Sequence, residues 1–334
     1  MVGTQGNSTA ERAAVWVLAD DRAGNVSQCL GVAEALGAPF LVKSIRYTPL
    51  ARLPNPLRGT SLLGIDADTR GALRPPWPAI VIAAGRRTAP VARWLKRHGG
   101  ARLVQIMDPG PPGRGDFDLI AIPNHDGRRP RQSSNILPIT GAPHRVTAER
   151  LAAEALRWRD RLHHLPRPRI ALMVGGATKS HAFTVADAEE LARKAGGMAR
   201  RAGGSLMVTT SRRTGGAAEA ALLAALPKPR LVYRWSDGGD NPYFAFLGAA
   251  DAVIVTGDSV SMCCEACATP VPVHIYAPGS GCAAKHTSLH AELYAAGLAR
   301  PLGDGLERWS HPPLNAADAI AAAIRQRFGF GTRP

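Results

Sequence analysis

Short apolar runs alternate with helical patterns along the whole chain, and this alternation constrains the fold more than any other sequence feature. The runs are rich in Val, Ile and Leu without a polar residue at every second position, which is typical of parallel strands buried on both faces. Strands that alternate with helices predict doubly wound α/β sheets with right-handed crossovers. The predicted strands are Ala14–Ala19, Phe40–Ile45, Ala79–Ala84, Arg102–Met107, Asp118–Ile122, Arg169–Val174, Ser205–Thr210, Arg230–Tyr233, Ala252–Thr256 and Val271–Tyr276.

The strand series restarts near the middle of the 334 residues. Thr147–Leu162 predicts a helix, and the two prolines within His163–Pro168 cannot continue it. We therefore predict two doubly wound Rossmann-like domains that face a cleft, with ligands beyond the carboxyl ends of the strands. The predicted parts are a flexible N-terminus (1–12), an acceptor-side domain (13–162), a hinge (163–168), a nucleotide-sugar-binding domain (169–312), and a C-terminal helix and tail packing back on the first domain (313–334).

The chain is strongly basic, with 41 Lys+Arg against 26 Asp+Glu and a formal net charge of +15. Residues 1–165 carry +10 of it and residues 166–334 carry +5. Such a surface suits nucleic acid, anionic lipid or a phosphorylated ligand. Aromatic residues are only 5%, and no basic stretch is interleaved with them, which argues against nucleic acid. Arg outnumbers Lys by 35 to 6, and the usage of a GC-rich genome, which writes Arg for Lys, is one interpretation of this Arg excess.

The five cysteines are an odd number in a long chain, which does not indicate a disulfide framework. Cys264 and Cys267 have C-x-x-C spacing, but no second ligand pair follows, so no metal is predicted. Neither a signal-peptide pattern nor an apolar run of about 18 residues is found. We expect a cytoplasmic location, with peripheral contact at the anionic inner membrane.

Two aspartates, Asp20 and Asp21, follow the first predicted strand. At a strand's carboxyl end a carboxylate can serve as a general base, and it can equally cap the next turn. Both interpretations stay open here. Gly24 then predicts a tight turn that opens a helix, although the dinucleotide fingerprint G-x-G-x-x-G is missing.

The later strands of the first half end in further candidate groups. Arg86 and Arg87 follow the third predicted strand, and paired guanidinium groups suit phosphate or carboxylate. His125 and Asp126 follow the fifth, and a histidine beside a carboxylate can act as an acid/base unit near neutral pH.

Three loops of the second half favour anions, and each follows a strand. The first has paired glycines, hydroxyls and a lysine, the second has two arginines, and the third has serines at a helix start. Walker spacing is absent, which excludes a P-loop NTPase. The predicted nucleotide- and phosphate-binding residues are Gly175, Gly176, Ala177, Thr178, Lys179, Ser211, Arg212, Arg213, Asp258, Ser259, Ser261, Met262 and Glu265.

These motifs together resemble the "elongated mitochondria" family of mitochondrial-fission proteins, which has plant members and proteobacterial relatives. The resemblance covers about residues 14–300, and the last motif is its most specific part. The segments that carry it are Asp20–Gln28, Gly85–Thr88, Asp108–Pro109, His125–Asp126, Gly175–Gly176, Ser211–Thr214, Asn241–Tyr243 and Thr256–Met262 with Glu265–Ala266.

That family resembles the two-domain B-type (GT-B) glycosyltransferases. The resemblance implies that the second domain binds a nucleoside diphosphate sugar, with the diphosphate at the glycine and serine loops, the ribose at Glu265, and the base near Tyr233–Trp235. It also implies an acceptor on the first domain. The predicted acceptor-side residues are Gly24, Asn25, Gln28, Arg86 and Arg87.

Our sequence-based hypothesis is transfer of a sugar from a nucleoside diphosphate sugar to an anionic or lipid-linked acceptor. No metal or other cofactor is expected, because Lys179, Arg212 and Arg213 would neutralise the leaving diphosphate. Asp20, Asp21 or His125 with Asp126 would act as the base. The alternative is a non-catalytic, membrane-associated nucleotide-binding scaffold. A nicotinamide-dependent epimerase or dehydrogenase is disfavoured, since its glycine fingerprint is missing.

Overall fold

The computed structural model describes residues 14–127, 133–278 and 281–330, so the predicted flexible segment 1–12 lies outside it. The chain divides into two compact units. Unit 1 comprises the described residues up to Asn124, those of 133–145, and the chain from Asn315 onward. Unit 2 comprises His125–Gly127 and the described residues of Val146–Leu314.

Unit 1 is built on a six-stranded parallel sheet with the order β2-β1-β3-β4-β5-β6. Its strands are β1 (Val15–Ala19), β2 (Phe40–Ser44), β3 (Ile80–Ala84), β4 (Arg102–Ile106), β5 (Leu119–Pro123) and β6 (Ile136–Ile139). Its helices are α1 (Ala23–Leu36), α2 (Asn55–Arg58), α3 (Ala67–Ala72), α4 (Ala89–Gly99) and the C-terminal α12 (Ala316–Phe328). The edge strand β6 was not among the predicted strands.

Unit 2 holds a second six-stranded parallel sheet, with the order β12-β11-β10-β7-β8-β9. Its strands are β7 (Arg169–Met173), β8 (Ser205–Thr209), β9 (Arg230–Tyr233), β10 (Ala252–Thr256), β11 (Val273–Tyr276) and the two-residue β12 (Arg300–Pro301). Its helices are α5 (Ala148–Arg157), α6 (Arg159–Leu162), α7 (Val185–Arg201), α8 (Gly216–Ala225), α9 (Tyr243–Ala249), α10 (Val260–Ala266) and α11 (Ala284–Ala295).

The predicted fold class, two doubly wound Rossmann-like sheets, is confirmed. β3, β5, β8 and β10 are buried at every position, which explains their unbroken apolar sequences. In unit 1 the strand order reverses between β1 and β3, and in unit 2 it reverses between β7 and β10. Ligands of open α/β sheets bind at such reversal points, beyond the carboxyl ends of the strands.

The C-terminal helix α12 belongs to unit 1 because its apolar face packs on α1. Ile320 and Ile324 are fully buried in the same core cluster as Val32. Arg325 also donates to the carbonyl oxygen of Ala35 at 2.6 Å. Burying two isoleucines stabilises this placement by about 1.5–3 kcal/mol each.

The boundary between the units lies after Arg145, ahead of the hinge predicted at 163–168. The reason is the packing of α5 on α9 inside unit 2. Trp158 extends this contact, with its ring edge-on to that of Phe246 at 6.2 Å between centroids. The prolines of His163–Pro168 therefore end a helix without separating two units.

Candidate functional site

Loops at the two strand-order reversals carry most of the predicted site residues. In unit 1, Asp20 and Asp21 follow β1 while Arg86 and Arg87 follow β3. In unit 2, the glycine loop follows β7 and Asp258 follows β10. Parallel strands end at the same edge of a sheet, so residues far apart in the sequence meet there. Within each unit the two loops are in contact, through Asp21 and Arg87 in unit 1 and through the glycine loop and Asp258 in unit 2.

Asp21 is committed to an ion pair. The Arg87 guanidinium donates one nitrogen to both Asp21 oxygens, at 2.8 and 2.9 Å, and stacks on the Tyr47 ring at 4.0 Å. Asp20 instead accepts from the backbone N–H of Arg22 at 3.0 Å and from Asn25 Nδ2 at 3.2 Å. Burial is the largest influence on Asp20 and raises its pKa. Asp20 thus caps the turn that precedes α1, and its pKa is raised above that of an ordinary aspartate.

An open pocket of about 1380 Å³ lies at this edge of unit 1. Both Asp20 and Asp21 line it, as do Arg86 and Arg87. Its outer wall is the segment from Tyr47 to Arg58 between β2 and α3. Asn55 ties that wall to the strand-end loops by donating to the carbonyl oxygens of Arg86 at 2.9 Å and Pro109 at 3.3 Å.

Three predicted acceptor-side residues, Gly24, Asn25 and Gln28, lie on α1 outside the pocket lining. Gly24 is exposed in the first helical turn, where a Cβ atom would meet open space, so the predicted tight turn is wrong. Asn25 acts through its bond to Asp20. The sequence pattern was misleading because α1 already begins at Ala23, before the regularly spaced apolar residues of its buried face.

His125 belongs to unit 2, whereas the two candidate aspartates belong to unit 1. Its side chain is fully buried, and its two ring nitrogens lie near carboxylates of unit 2, Nδ1 at 3.8 Å from Glu292 and Nε2 at 3.9 Å from Asp126. Asp126 forms an ion pair with Lys285 at 2.5 Å. The ring of His125 does not reach solvent in this arrangement, so it is less suited to act as the base than Asp20, which lines a pocket.

In unit 2 the glycine loop is closely packed. Gly175 donates its N–H to Thr256 Oγ1 at 2.7 Å, and Gly176 donates to Asp258 Oδ2 at 2.9 Å. A Cβ atom on Gly175 would collide with the Asp258 carboxylate, and one on Gly176, at φ 152°, with the Arg213 carbonyl. Glycine is required here by close approach of two other loops.

The next two N–H groups of that loop are also engaged. Ala177 donates to the Arg213 carbonyl oxygen, and Thr178 donates to that of His181, both at 2.8 Å. The N–H groups of residues 175–178 therefore donate to protein acceptors and are not free to bind a diphosphate.

The three cations of unit 2 that were predicted to bind an anion differ in whether they already form an ion pair. Arg213 pairs with the buried Asp258 at 2.6 Å and donates to the Ala177 carbonyl oxygen at 3.0 Å. Ser211 closes the same network by donating to the Gly175 carbonyl oxygen at 2.6 Å. Lys179 and Arg212 are exposed and form no ion pair with any described residue. These two, rather than Arg213, remain to meet an anion.

A small cavity of about 10 Å³ lies beside this network, lined by Gly176, Asp258, His181, Cys282 and His286 among others. That volume holds about one water molecule. A nucleotide does not fit in this cavity, and Lys179 and Arg212 lie on the exposed surface of the neighbouring loops.

The third predicted loop begins α10. Ser259 Oγ caps the helix by accepting from the Met262 N–H at 3.4 Å. Ser261 and Met262 are partly buried in the first turn. The hydroxyl of Ser259 is thus used for capping, which is the structural role expected of serine at this position.

Glu265, the predicted ribose ligand, contacts a tyrosine that the sequence did not single out for a role. Tyr243 donates its hydroxyl to Glu265 Oε2 at 2.7 Å. Burial raises the Glu265 pKa to about 6, while the Tyr243 bond and the charge of Arg150 oppose that rise. Arg150 stacks on the Phe244 ring at 3.8 Å. The motif Asn241–Tyr243 was the available signal for this contact.

Two kinds of feature are absent from the described residues. No group of three or more His, Cys, Asp or Glu side chains is arranged there to hold a metal ion. No helix within 14–127, 133–278 or 281–330 is both long and apolar enough to cross a membrane.

Solved structures with this fold include GT-B glycosyltransferases and epimerases. MurG of Acinetobacter baumannii is 14% identical with a TM-score of 0.51, covering 93% of this chain and 99% of that one. The UDP-GlcNAc 2-epimerase of Methanocaldococcus jannaschii, in complex with UDP-GlcNAc and UDP, is 12% identical with a TM-score of 0.52, covering 94% and 99%. The glycosyltransferase SnogD of Streptomyces nogalater is 17% identical with a TM-score of 0.50, covering 95% of each.

Sequence relatives give the family. Uncharacterized protein RP120 of Rickettsia prowazekii (strain Madrid E) is 29% identical over 347 residues, covering 93% of this chain and 97% of its own. Mitochondrial fission protein ELM1 of Arabidopsis thaliana is 28% identical over 275 residues, covering 75% of this chain and 64% of its own. The family model described as Mitochondrial fission ELM1 matches residues 23–328, and the chain therefore belongs to that family, with a GT-B-like fold.

Proposed function

We propose that this protein transfers a sugar from a nucleoside diphosphate sugar to an anionic, envelope- or lipid-associated acceptor, without a metal. The observation that carries the proposal is the placement of Lys179 and Arg212, two exposed cations with no ion pair among the described residues, on loops at the carboxyl edge of a Rossmann-type sheet. Such an edge is where open α/β sheets bind nucleotides. A similar fold is found in an epimerase bound to UDP-GlcNAc and UDP.

In the proposed reaction the acceptor oxygen attacks the anomeric carbon of the donor sugar. The bond between that carbon and the diphosphate breaks, and the nucleoside diphosphate leaves with the electron pair. Lys179 and Arg212 would offset the charge that develops on the leaving group. Lysine and arginine side chains on a protein surface are positively charged at neutral pH, so both suit this role.

Asp20 is the proposed base that takes the proton from the acceptor. It lines the large pocket of unit 1, and its raised pKa brings it closer to the pH at which a base works best. Asp21 is less suited because its two oxygens are held by Arg87. Among the sequence-based candidates for the base, Asp20 is therefore the one that we propose.

The test is an assay of nucleoside diphosphate release from a panel of uridine, guanosine, adenosine and cytidine diphosphate sugars, with membrane lipid extract as acceptor. We expect one donor to be consumed only when extract is present. The Asp20→Asn variant should lose about 10²–10⁴-fold in rate, the usual contribution of a general base, while donor binding is kept. Asp116→Asn, a unit 1 aspartate outside the pocket lining, is the control and should keep its rate.

The scaffold remains the second function, favoured by membership of a fission-protein family. Donor binding without turnover across the whole panel would refute the transferase and support the scaffold. Turnover without acceptor, giving an altered sugar still attached to its nucleotide, would also refute transfer and indicate an epimerase like the structural neighbours.

A further inference from the structure

Arg58 is the most unusual charged residue of unit 1. Its side chain lines the large pocket, yet the residue is only 2% exposed. Its Nε donates to the Leu63 carbonyl oxygen at 3.2 Å and its Nη1 to that of Arg87 at 3.3 Å. Nη2 has no partner among the described residues. No carboxylate among the described residues lies within ion-pair distance of the Arg58 guanidinium.

A buried cation without a counter-ion is unfavourable, because removing it from water costs several kcal/mol. Burial accordingly lowers the pKa of Arg58, the interaction with Tyr47 opposes that change, and the nearby charge of Arg87 adds to it. A guanidinium stays protonated in proteins, so the charge persists and its field acts on the pocket. The pocket therefore contains a positive charge that no described carboxylate neutralises and that a bound anion would neutralise.

The other charged residues that line the pocket are also mostly positive. Six arginines and two aspartates line the pocket, and no lysine or glutamate does among the described residues. Arg87 is neutralised by Asp21, but Arg52 and Arg86 are exposed and form no ion pair with a described residue. They stand at the solvent side of the pocket, where guanidinium forks can hold an anion directly.

Two hydroxyl groups beside Arg58 are also without partners. Tyr47 Oη and Thr48 Oγ1 are buried and accept or donate no hydrogen bond within the described parts of the chain. Both residues line the same pocket. Buried hydroxyl groups are almost always hydrogen-bonded, so three orphaned polar atoms from one wall of the pocket indicate a polar ligand that completes them.

We infer that unit 1 has a built anion site in this pocket, with Arg58 beneath it and Arg52 and Arg86 above, and that it takes a phosphate or diphosphate group. Under the proposed function this group belongs to the acceptor, and the inference deepens that function by naming the acceptor's anionic part. The site itself consists of unit 1 residues alone and requires no turnover.

A phosphate group occurs both in soluble molecules and in lipid headgroups. Leu50, Leu53 and Leu57 are exposed by 51%, 37% and 69% on the same wall as Arg58. Leu53 lines the pocket, and all three leucines belong to the segment from Tyr47 to Arg58, so exposed apolar side chains accompany the basic pocket. This juxtaposition makes a lipid phosphate one arm of the test and a soluble phosphate the other.

The test is isothermal titration calorimetry with inorganic pyrophosphate. A background carrying Lys179→Gln with Arg212→Gln removes the two cations proposed to bind the donor in unit 2, so that binding reports unit 1. On this background, Arg58→Gln should weaken binding by about tenfold or more, as expected for loss of a charge-assisted interaction. Tyr47→Phe removes only an orphaned hydroxyl and should weaken it by about two- to fivefold without a fall in melting temperature. Arg97→Gln, an exposed charge outside the pocket, is the control and should bind as the background does.

Flotation with phosphatidic acid vesicles against phosphatidylcholine vesicles separates the two sources. Binding to phosphatidic acid that pyrophosphate displaces and Arg58→Gln abolishes supports a lipid phosphate. Pyrophosphate binding without vesicle binding supports a soluble one. The inference is overturned if neither probe binds the background protein, or if Arg58→Gln and Tyr47→Phe both bind like Arg97→Gln. Anion binding in a protein that shows no sugar transfer would refute the proposed function alone.

Discussion

Replacing Glu265 by glutamine should make the protein more stable at neutral pH. The carboxylate is partly buried, and burial raises its pKa from 4.5 to about 6. A carboxyl group with a raised pKa binds more protons in the folded chain than in the unfolded one, so its contribution to stability is present below pH 4.5 and is lost as pH rises through 6. Glutamine is neutral at every pH and still accepts the Tyr243 hydroxyl.

The magnitude follows from the pKa difference. A shift of about 1.5 units corresponds to about 2 kcal/mol between the protonated and ionised forms. Glu265→Gln should therefore raise the free energy of unfolding by about 2 kcal/mol above about pH 7, and by only a few tenths near about pH 4.5. For a unit of this size, about 2 kcal/mol corresponds to a rise of about 4–8 °C in melting temperature.

The assay is urea unfolding followed by circular dichroism at several pH values from about 4.5 to 8, on either side of the raised pKa. Glu190 is a matched control, since it also accepts a tyrosine hydroxyl, from Tyr276 at 2.9 Å. Its bonds with Lys194 and Tyr276 lower its pKa, so Glu190→Gln should become less stable than the wild type as pH rises, the opposite trend. Equal effects of Glu265→Gln at the two ends of the pH range, or a loss of stability at the alkaline end, would refute the reasoning.

Two further predictions concern packing and capping in unit 2. Gly248→Ala should destabilise the protein by about 1–3 kcal/mol, because its Cβ would collide with the Leu151 carbonyl where α5 packs on α9. Gly71→Ala meets open space on α3 and should be neutral or stabilising in the same thermal melts. Thr184→Ala breaks a reciprocal capping box with Asp187 at the start of α7 and should cost about 1 kcal/mol in urea unfolding; an unchanged midpoint would contradict that role.

The sequence alone determined the fold class and the family. Fully buried parallel strands need apolar side chains on both faces, so their sequences stand out as unbroken runs such as those of β3 and β10. The loops that follow such strands could be predicted to line a site, because every parallel strand delivers its carboxyl end to one edge. In the structure Asp21 meets Arg87 and Gly176 meets Asp258 at such edges, although the sequence did not predict these particular pairs.

Tertiary structure alone decided which of those residues are available. Three properties depend on contacts with residues far away in the sequence. They are the ion pair of Asp21 with an arginine, the access of His125 to solvent, and the availability of the N–H groups of residues 175–177. The same holds for Arg58, whose proline-rich surroundings in the sequence are typical of an exposed loop. Periodicity reports which face of an element is apolar; burial of a charge without a partner depends on how distant loops pack over it, and that information is not local.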